Sequence, residues 1–246
     1  MRLILICFVL LHISLDCLSQ ATGNSPAGNK ANNIPSSYFT EVVIGAAIPS
    51  GVFSGTDYQN YQSGFASSGG FLYAGYGKLY HDLYGFEVAV AVSFFPLNNE
   101  VDQYKEVENS QEYIRGFSWW TVSALIGPCV SLPVKRFSFD FKVLGGVSNV
   151  IRPYFRNVYG NGTARLEETT GIGYAFGLLF GAGVEYSISE RVGIRFSVDY
   201  IYTSPNIKYQ EIASVGQVYF DKDDIKYKQP VSSFSPGLGI ILHLHN

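Results

Sequence analysis

The residues of this sequence that could do chemistry are charged side chains set singly into apolar and aromatic segments. The set consists of Glu41, Lys78, Glu87, Asp140, Lys142, Glu185, Arg195 and Asp199. A charge in an apolar setting is costly to bury unless an opposite charge pairs with it. We therefore expect these side chains to meet in one network. Such a network could hold strands in register by ion pairs, or it could carry protons or ions through switching pairs.

Motifs for metal binding and catalysis are weak. His243 and His245 have the spacing of two ligands on one strand, but no cysteine or third histidine stands near them. Asp221, Asp223 and Asp224 resemble part of a calcium loop, yet the required glycine and closing glutamate are missing. No Ser/His/Asp arrangement and no phosphate loop has a credible context. The sequence therefore predicts no enzyme activity, no metal site and no cofactor.

The segments that must position these charges alternate between apolar and polar residues. In "IRFSVDY" (194–200), Arg195 and Asp199 lie between apolar neighbours, and "FSFDFKV" (137–143) sets Lys142 between phenylalanine and valine. Successive side chains of a strand point to opposite faces, so each segment has one apolar face and one polar or charged face. The 26 Gly, 18 Tyr and 18 Phe likewise suit aromatic strands joined by turns.

Eight strand-like runs follow one another along the chain. They lie near 38–49, 70–80, 85–96, 117–131, 137–150, 171–187, 192–203 and 231–245. Tight turns join the second run to the third, the fourth to the fifth and the sixth to the seventh, whereas the other connections are long and polar. This alternation is typical of barrels in outer membranes, whose strands need about 9–11 residues each. The predicted fold is all-β, an eight-stranded antiparallel up-and-down transmembrane β-barrel.

The apolar faces are expected to contact lipid, and the charged faces to line a narrow lumen. A soluble ligand-binding barrel needs the reverse arrangement, with a polar outside. Turning Arg195 into the hydrocarbon would cost roughly 2–4 kcal/mol at the bilayer midplane. Eight strands leave an interior only just wide enough for side chains, which favours a salt-bridge plug over an ion path. Aromatic girdles near the strand ends are predicted from Tyr73, Tyr80, Trp119, Trp120, Tyr200 and Tyr202.

The chain divides into three parts. Residues 1–19 are predicted to be a secretory signal peptide, with Arg2 before an apolar run and small residues at the cleavage site. Residues 20–37 form a flexible, polar lead-in, and residues 38–246 form the barrel. Removing the signal leaves one cysteine, Cys129, so no internal disulfide can form. The net charge of −3, with no run of basic residues, argues against a nucleic-acid partner.

A likeness to known barrels is carried by three stretches: "LPVKRFSFDFKVLGG" (132–146), "GAGVEYSISERVGIRFSVDYIYTSP" (181–205) and "FSPGLGIILHL" (234–244). With them the chain resembles the small eight-stranded outer-membrane barrels of the OmpX and OmpA-transmembrane type. More closely it is similar to the "outer membrane protein beta-barrel" family that includes PorT-like proteins. The resemblance implies insertion into the outer membrane of a Gram-negative cell.

Three roles follow as hypotheses. The first is a non-enzymatic cell-surface protein whose long loops, rich in tyrosine and small polar residues, contact a partner. The second, implied by the resemblance to PorT-like proteins, is an accessory component of protein secretion across the outer membrane. The third is a narrow pore for small solutes. Outer-membrane lipid is a partner in each case, and a protein partner would be reached through the extracellular loops or the secretion machinery.

Overall fold

The structure is a computed structural model that describes residues 36–57, 60, 62–98, 110–115, 118–159, 164–215 and 218–244. The predicted signal peptide and the lead-in up to residue 35 lie outside the described residues, as does His245. Among the described residues, no helix is long and apolar enough to cross a membrane.

Thirteen strands are found in the described part of the chain. Eight of them are long, and they coincide with the eight predicted runs: β1 (Ser36–Pro49), β2 (Gly69–Tyr80), β3 (Tyr84–Phe95), β5 (Trp119–Val134), β6 (Phe137–Ile151), β9 (Ile172–Ser187), β10 (Val192–Thr203) and β13 (Val231–Leu244). The other five lie in the long connections: β4 (Ser110–Arg115), β7 (Phe155–Tyr159), β8 (Ala164–Glu168), β11 (Asn206–Val215) and β12 (Val218–Lys228).

The eight long strands form a closed antiparallel barrel, which confirms the predicted fold class. Their circuit runs β1-β2-β3-β5-β6-β9-β10-β13 and returns to β1. The closing seam pairs the first strand with the last, with Tyr38 opposite Leu244. Each barrel strand thus has two neighbours and exposes no unpaired edge, as a strand in hydrocarbon requires.

Short and long connections lie at opposite ends of the barrel. The short ones, 81–83, 135–136 and 188–191, define what we call the turn end, and the long ones define the loop end. At the first short turn, His81 and Asp82 have φ of 54° and 56°, and Leu83 N–H donates to the Tyr80 carbonyl at 3.1 Å. Two successive positive φ angles are those of a type I′ hairpin turn, whose twist matches that of the flanking strands.

The outer wall is apolar and the inner wall carries the charges. Phe139, Phe180 and Val198 are exposed on the outside, whereas Ser197 and Asp199 are fully buried. This is the arrangement that a barrel surrounded by lipid requires, since outward side chains must match hydrocarbon.

Two of the predicted girdle residues are placed wrongly by the sequence. Tyr73 and Trp119 are buried inside the barrel, while Tyr80, Trp120, and the pair Tyr200 and Tyr202 lie on the outward face. The reason is that each inward ring finds a polar partner there: the Tyr73 hydroxyl donates to a carboxylate, and Trp119 Nε1–H donates to a backbone carbonyl. A buried tyrosine or tryptophan needs such a partner for its polar atom.

A second sheet stands beyond the loop end. Its order is β12-β11-β8-β7-β4, all antiparallel, and it joins the barrel where Lys208 of β11 pairs with Ile172 of β9. The sequence predicts these segments as polar loops, and the aspartate-rich stretch "FDKDDIKY" (220–227) lies in β12 instead. Their pairing with one another and with β9 extends the barrel sheet.

The face assignment predicts a depth-dependent cost for an outward charge. Phe180→Arg, in the middle of β9, should lower the free energy of unfolding by roughly 2–4 kcal/mol, because the cation then faces the bilayer midplane. Tyr202→Arg, at the loop end of β10, is the matched control and should cost roughly 0–1 kcal/mol. Urea unfolding in lipid vesicles measures both. Equal costs at the two depths would contradict a lipid-facing outer wall.

Candidate functional site

The lumen is filled by two layers of side chains with different chemistry. The half nearer the turn end holds the buried charges together with a small apolar cluster of Phe39, Leu79, Cys129 and Ile241. Seven of the eight predicted network residues lie in this half: Glu41, Glu87, Asp140, Lys142, Glu185, Arg195 and Asp199. The half nearer the loop end is a hydrophobic core that includes Leu125, Leu144 and Leu179. The sequence predicts the first layer but not the second, since it assigns mostly small or charged residues to the inner wall, with Leu179 and Ile241 as isolated large apolar ones.

Lys142 is the centre of the charged layer. Its Nζ lies 2.9 Å from Glu41 Oε1, 3.7 Å from Asp199 Oδ1 and 3.8 Å from Glu87 Oε1. The same nitrogen sits 3.6 Å from the centroid of the Tyr73 ring, which adds a cation–π contact. Because β6 is four strands from β1 in either direction around the circuit, the pair of Lys142 and Glu41 spans the lumen.

Arg195 binds the other side of the same carboxylate. Its Nη1 lies 2.6 Å from Glu41 Oε2 and 3.4 Å from Asp140 Oδ2. Asp140 also accepts a hydrogen bond from the Ser138 hydroxyl at 3.1 Å. Glu41 is thus held by two cations from two strands, and the network joins β1, β3, β6 and β10.

Glu185 and His243 form a separate pair near the turn end. His243 Nε2 lies 2.8 Å from Glu185 Oε1. The sequence raises His243 and His245 as a weak metal motif, and the structure gives His243 a carboxylate partner instead. Among the described residues, no group of three or more His, Cys, Asp or Glu side chains could hold a metal ion.

The charges of the layer do not balance. Five carboxyl groups face two permanent cations, Lys142 and Arg195, within the described lumen. Lys142 Nζ and Arg195 Nη1 lie 2.9 and 2.6 Å from the two oxygens of Glu41, whereas Glu87 Oε1 lies 3.8 Å from Lys142 Nζ. Glu41 is therefore the carboxyl group that the two cations bind most closely.

Lys78 does not belong to the network, and its predicted place in the lumen is wrong. It lies on the outward face of β2, where its Nζ is 5.0 Å from the centroid of the Tyr38 ring and 5.1 Å from that of Tyr80. Both faces of β2 carry aromatic residues. The alternation of apolar and polar residues that shows which face of the other strands points inward therefore gives no clear answer for β2. Near the turn end the long side chain can reach the interface while its stem lies along apolar surface.

Access to the charged layer comes from the turn end. A recess of about 410 Å³ opens there, and Ser131, Glu185 and His243 line both it and a deeper cavity of about 20 Å³. The deeper cavity also contacts Arg195 and the free cysteine Cys129. A cavity of this size, lined in part by charged groups, is large enough for a single water molecule.

The loop end is closed by a plug from the first long connection. A short 3₁₀ helix, Gly51–Ser54, turns Phe53 into the barrel, where it is fully buried. Its ring meets those of Phe95 and Trp119 edge to face, with centroids 5.0 and 5.4 Å apart. Trp119 Nε1–H in turn donates to the Gly64 carbonyl at 2.8 Å, which holds the returning chain in place. The sequence gives no signal for this plug, because Phe53 lies in a polar, glycine-rich stretch.

A cation–π cluster anchors the second sheet above the plug. The Arg152 guanidinium carbon lies 4.1 Å from the ring centroid of Tyr209 and 5.9 Å from that of Tyr227, and Arg152 also pairs with Glu168. Burial raises the pKa of Tyr227 to about 12. The sequence proposes these tyrosines either as contact residues or as packing residues, and these two pack.

Closure, an apolar outer wall and a charged interior together define an integral outer-membrane β-barrel of the small eight-stranded type. No protein-family model and no curated protein matches the chain.

The chain is similar in fold to several solved structures, among them two named as outer membrane proteins. Neisserial surface protein A matches with 12% identity and a TM-score of 0.48, covering 85% of this chain and 98% of its own. A major outer membrane protein from Thermus thermophilus gives the same identity, TM-score and coverage of this chain, and 99% of its own. OprG from Pseudomonas aeruginosa matches with 10% identity and a TM-score of 0.47, covering 86% and 97%. Likenesses at this level carry no residue role to this chain.

Removing the central cation tests the network. Lys142→Met should lower the free energy of unfolding by about 3–5 kcal/mol, because it leaves buried carboxylates without their partner. Lys78→Met removes the same charge from the outward face and should change it by no more than about 0.5 kcal/mol. Urea unfolding in vesicles compares the two variants. If both variants unfold alike, the network contributes nothing to stability.

The unequal contacts of the two glutamates with the cations predict unequal costs of substitution. Glu87→Gln changes a side chain that lies 3.8 Å from Lys142 Nζ and should change the free energy of unfolding by less than about 1 kcal/mol. Glu41→Gln removes the anion shared by two cations and should cost about 3–5 kcal/mol. The same unfolding experiment at neutral pH decides between them. A larger cost for Glu87→Gln would contradict the central place of Glu41 in the network.

Proposed function

We propose that this protein is a non-enzymatic outer-membrane barrel with a sealed lumen. The barrel serves as a rigid anchor for the second sheet, and this sheet contacts a partner at the cell surface. The observation that carries the proposal is the double closure of the lumen, by ion pairs in one half and by Phe53 and its aromatic neighbours in the other. Packing of this kind in the described part of the lumen argues against a solute path. Its recess at the turn end lies on the opposite side from the loops.

The second sheet supports a role in binding a partner. Its five strands are paired to one another and to β9, so the surface they present is ordered by the barrel beneath. Binding segments are commonly loops that a rigid scaffold positions. At the tip of the β11–β12 hairpin, Val215 leaves 52% of its surface exposed, an apolar group that a partner could cover.

The proposal predicts a partner that depends on the hairpin. A photo-reactive amino acid at Val215 should give a discrete cross-linked adduct in the native envelope, and the same group at Leu83, which is 43% exposed at the turn end, should not give that adduct. Replacing residues 206–228 by a two-residue Asn-Gly turn should abolish capture of that partner by the purified protein, with heat-modifiable gel migration unchanged. Capture that persists without the hairpin would contradict the proposal.

Conductance distinguishes the pore hypothesis. The wild-type protein in planar lipid bilayers should be silent, because both layers of the lumen are filled. Steady single-channel currents would instead favour the narrow pore. The secretion-accessory role stays a prediction of the resemblance alone, and a secretion component found as the turn-end adduct at Leu83 would favour it.

A further inference from the structure

Three lysines converge on the outward face of the β11–β12 hairpin. Lys208 and Lys226 stand directly opposite each other in the register, and Lys228 follows two residues later, opposite Asn206. All three are exposed, and the inward face of the hairpin is taken by other residues, among them the fully buried Ile207. Directly opposite residues on one face have Cβ atoms about 4.5–5.5 Å apart.

The register places this cluster at the boundary between hydrocarbon and water. Lys208 pairs with Ile172, the last residue of an outward apolar row on β9 that continues through Tyr174 and Phe176. These three side chains are 49%, 68% and 67% exposed, so the row faces the bilayer up to the residue beside Lys208. The lysines therefore begin where the apolar wall ends, which is the level of lipid headgroups.

The three lysines outnumber the acids on this face and form no ion pair within the described part of the chain. No ion pair joins Lys208, Lys226 or Lys228 to a described carboxylate, and Asp224, the acid nearest along β12 on the same face, is bound by Gln210 Nε2 at 2.9 Å. Two like charges directly opposite each other destabilise a strand pair. An external anion would relieve this repulsion.

We propose that Lys208, Lys226 and Lys228 bind the phosphate groups of an anionic lipid headgroup in the outer leaflet. Each ammonium group offers three donors, and a phosphate accepts several hydrogen bonds with charge to match. The lipid source fits the site because its acyl chains would lie along Ile172, Tyr174 and Phe176 while its phosphates reach the lysines. Juxtamembrane lysines attract anionic lipid with a strength that corresponds to roughly fivefold in affinity for each residue.

The test uses the refolded mature protein in dodecyl maltoside, titrated with diphosphoryl lipid A and followed by native mass spectrometry. The triple variant Lys208→Gln, Lys226→Gln and Lys228→Gln should bind this lipid at least tenfold more weakly, by the strength of about three lysines. The matched control neutralises three exposed cations at the turn end, Lys135, Arg136 and Arg191, and should bind as the wild type does. Heat-modifiable migration checks that every variant is folded.

Two further arms distinguish the source of the anion. A glycolipid of equal acyl length without phosphate should bind the wild type as weakly as lipid A binds the triple glutamine variant. Inorganic phosphate at ten times the lipid concentration should not displace lipid A, and displacement would assign a site for free phosphate and overturn the lipid proposal. Replacing the three lysines by arginine should retain binding. Unchanged lipid affinity in the glutamine variant would also overturn the proposal.

Discussion

Ion pairs that cross the lumen are the interaction on which the rest of this barrel depends. Lys142 and Arg195 both reach Glu41 from other strands, so a single carboxylate on β1 links β6 and β10 through the interior. An unpaired charge in so narrow a space is costly, so each group depends on its partners staying in place. The network therefore fixes the register of strands that share no backbone hydrogen bonds, and it does so only with the apolar residues facing outward.

The two ends of the lumen differ in how they are closed. The charged layer communicates with a recess at the turn end, whereas Phe53 and Trp119 close the loop end with packed rings. In the described part of the chain, the recess beside the carboxyl groups thus lies at the turn end. The same plug ties the first long connection to the barrel wall, and the Arg152 cluster ties the second sheet to it. Rigidity extends from the core of the barrel to the surface that stands above it.

Much of this fold can be predicted from the sequence, because the alternation of apolar and polar residues is both the cause of the architecture and its visible signature. Runs such as 137–150 and 192–203 have one face that only lipid can accept. The alternation fails on β2, where Tyr73 points inward and Lys78 outward, because aromatic residues stand on both faces and the choice depends on a carboxylate from β3. Phe53 and the lysine cluster depend on long-range pairing, which no local pattern encodes: Lys208 and Lys226 become neighbours only through the hairpin.

The seam between β1 and β13 has a consequence for the order of assembly. Tyr38 and Leu244 pair although they lie far apart in the sequence. Contacts between such distant residues form late, because the entropy cost of closing the loop precedes the stabilisation that the contact provides. Until β1 pairs with β13, Glu41 lies on an unpaired edge strand, far from Lys142 on β6. Closing the barrel therefore forms the backbone hydrogen bonds between β1 and β13 and the ion pairs of Glu41 in one step. Opening the barrel would have to break both sets of interactions together.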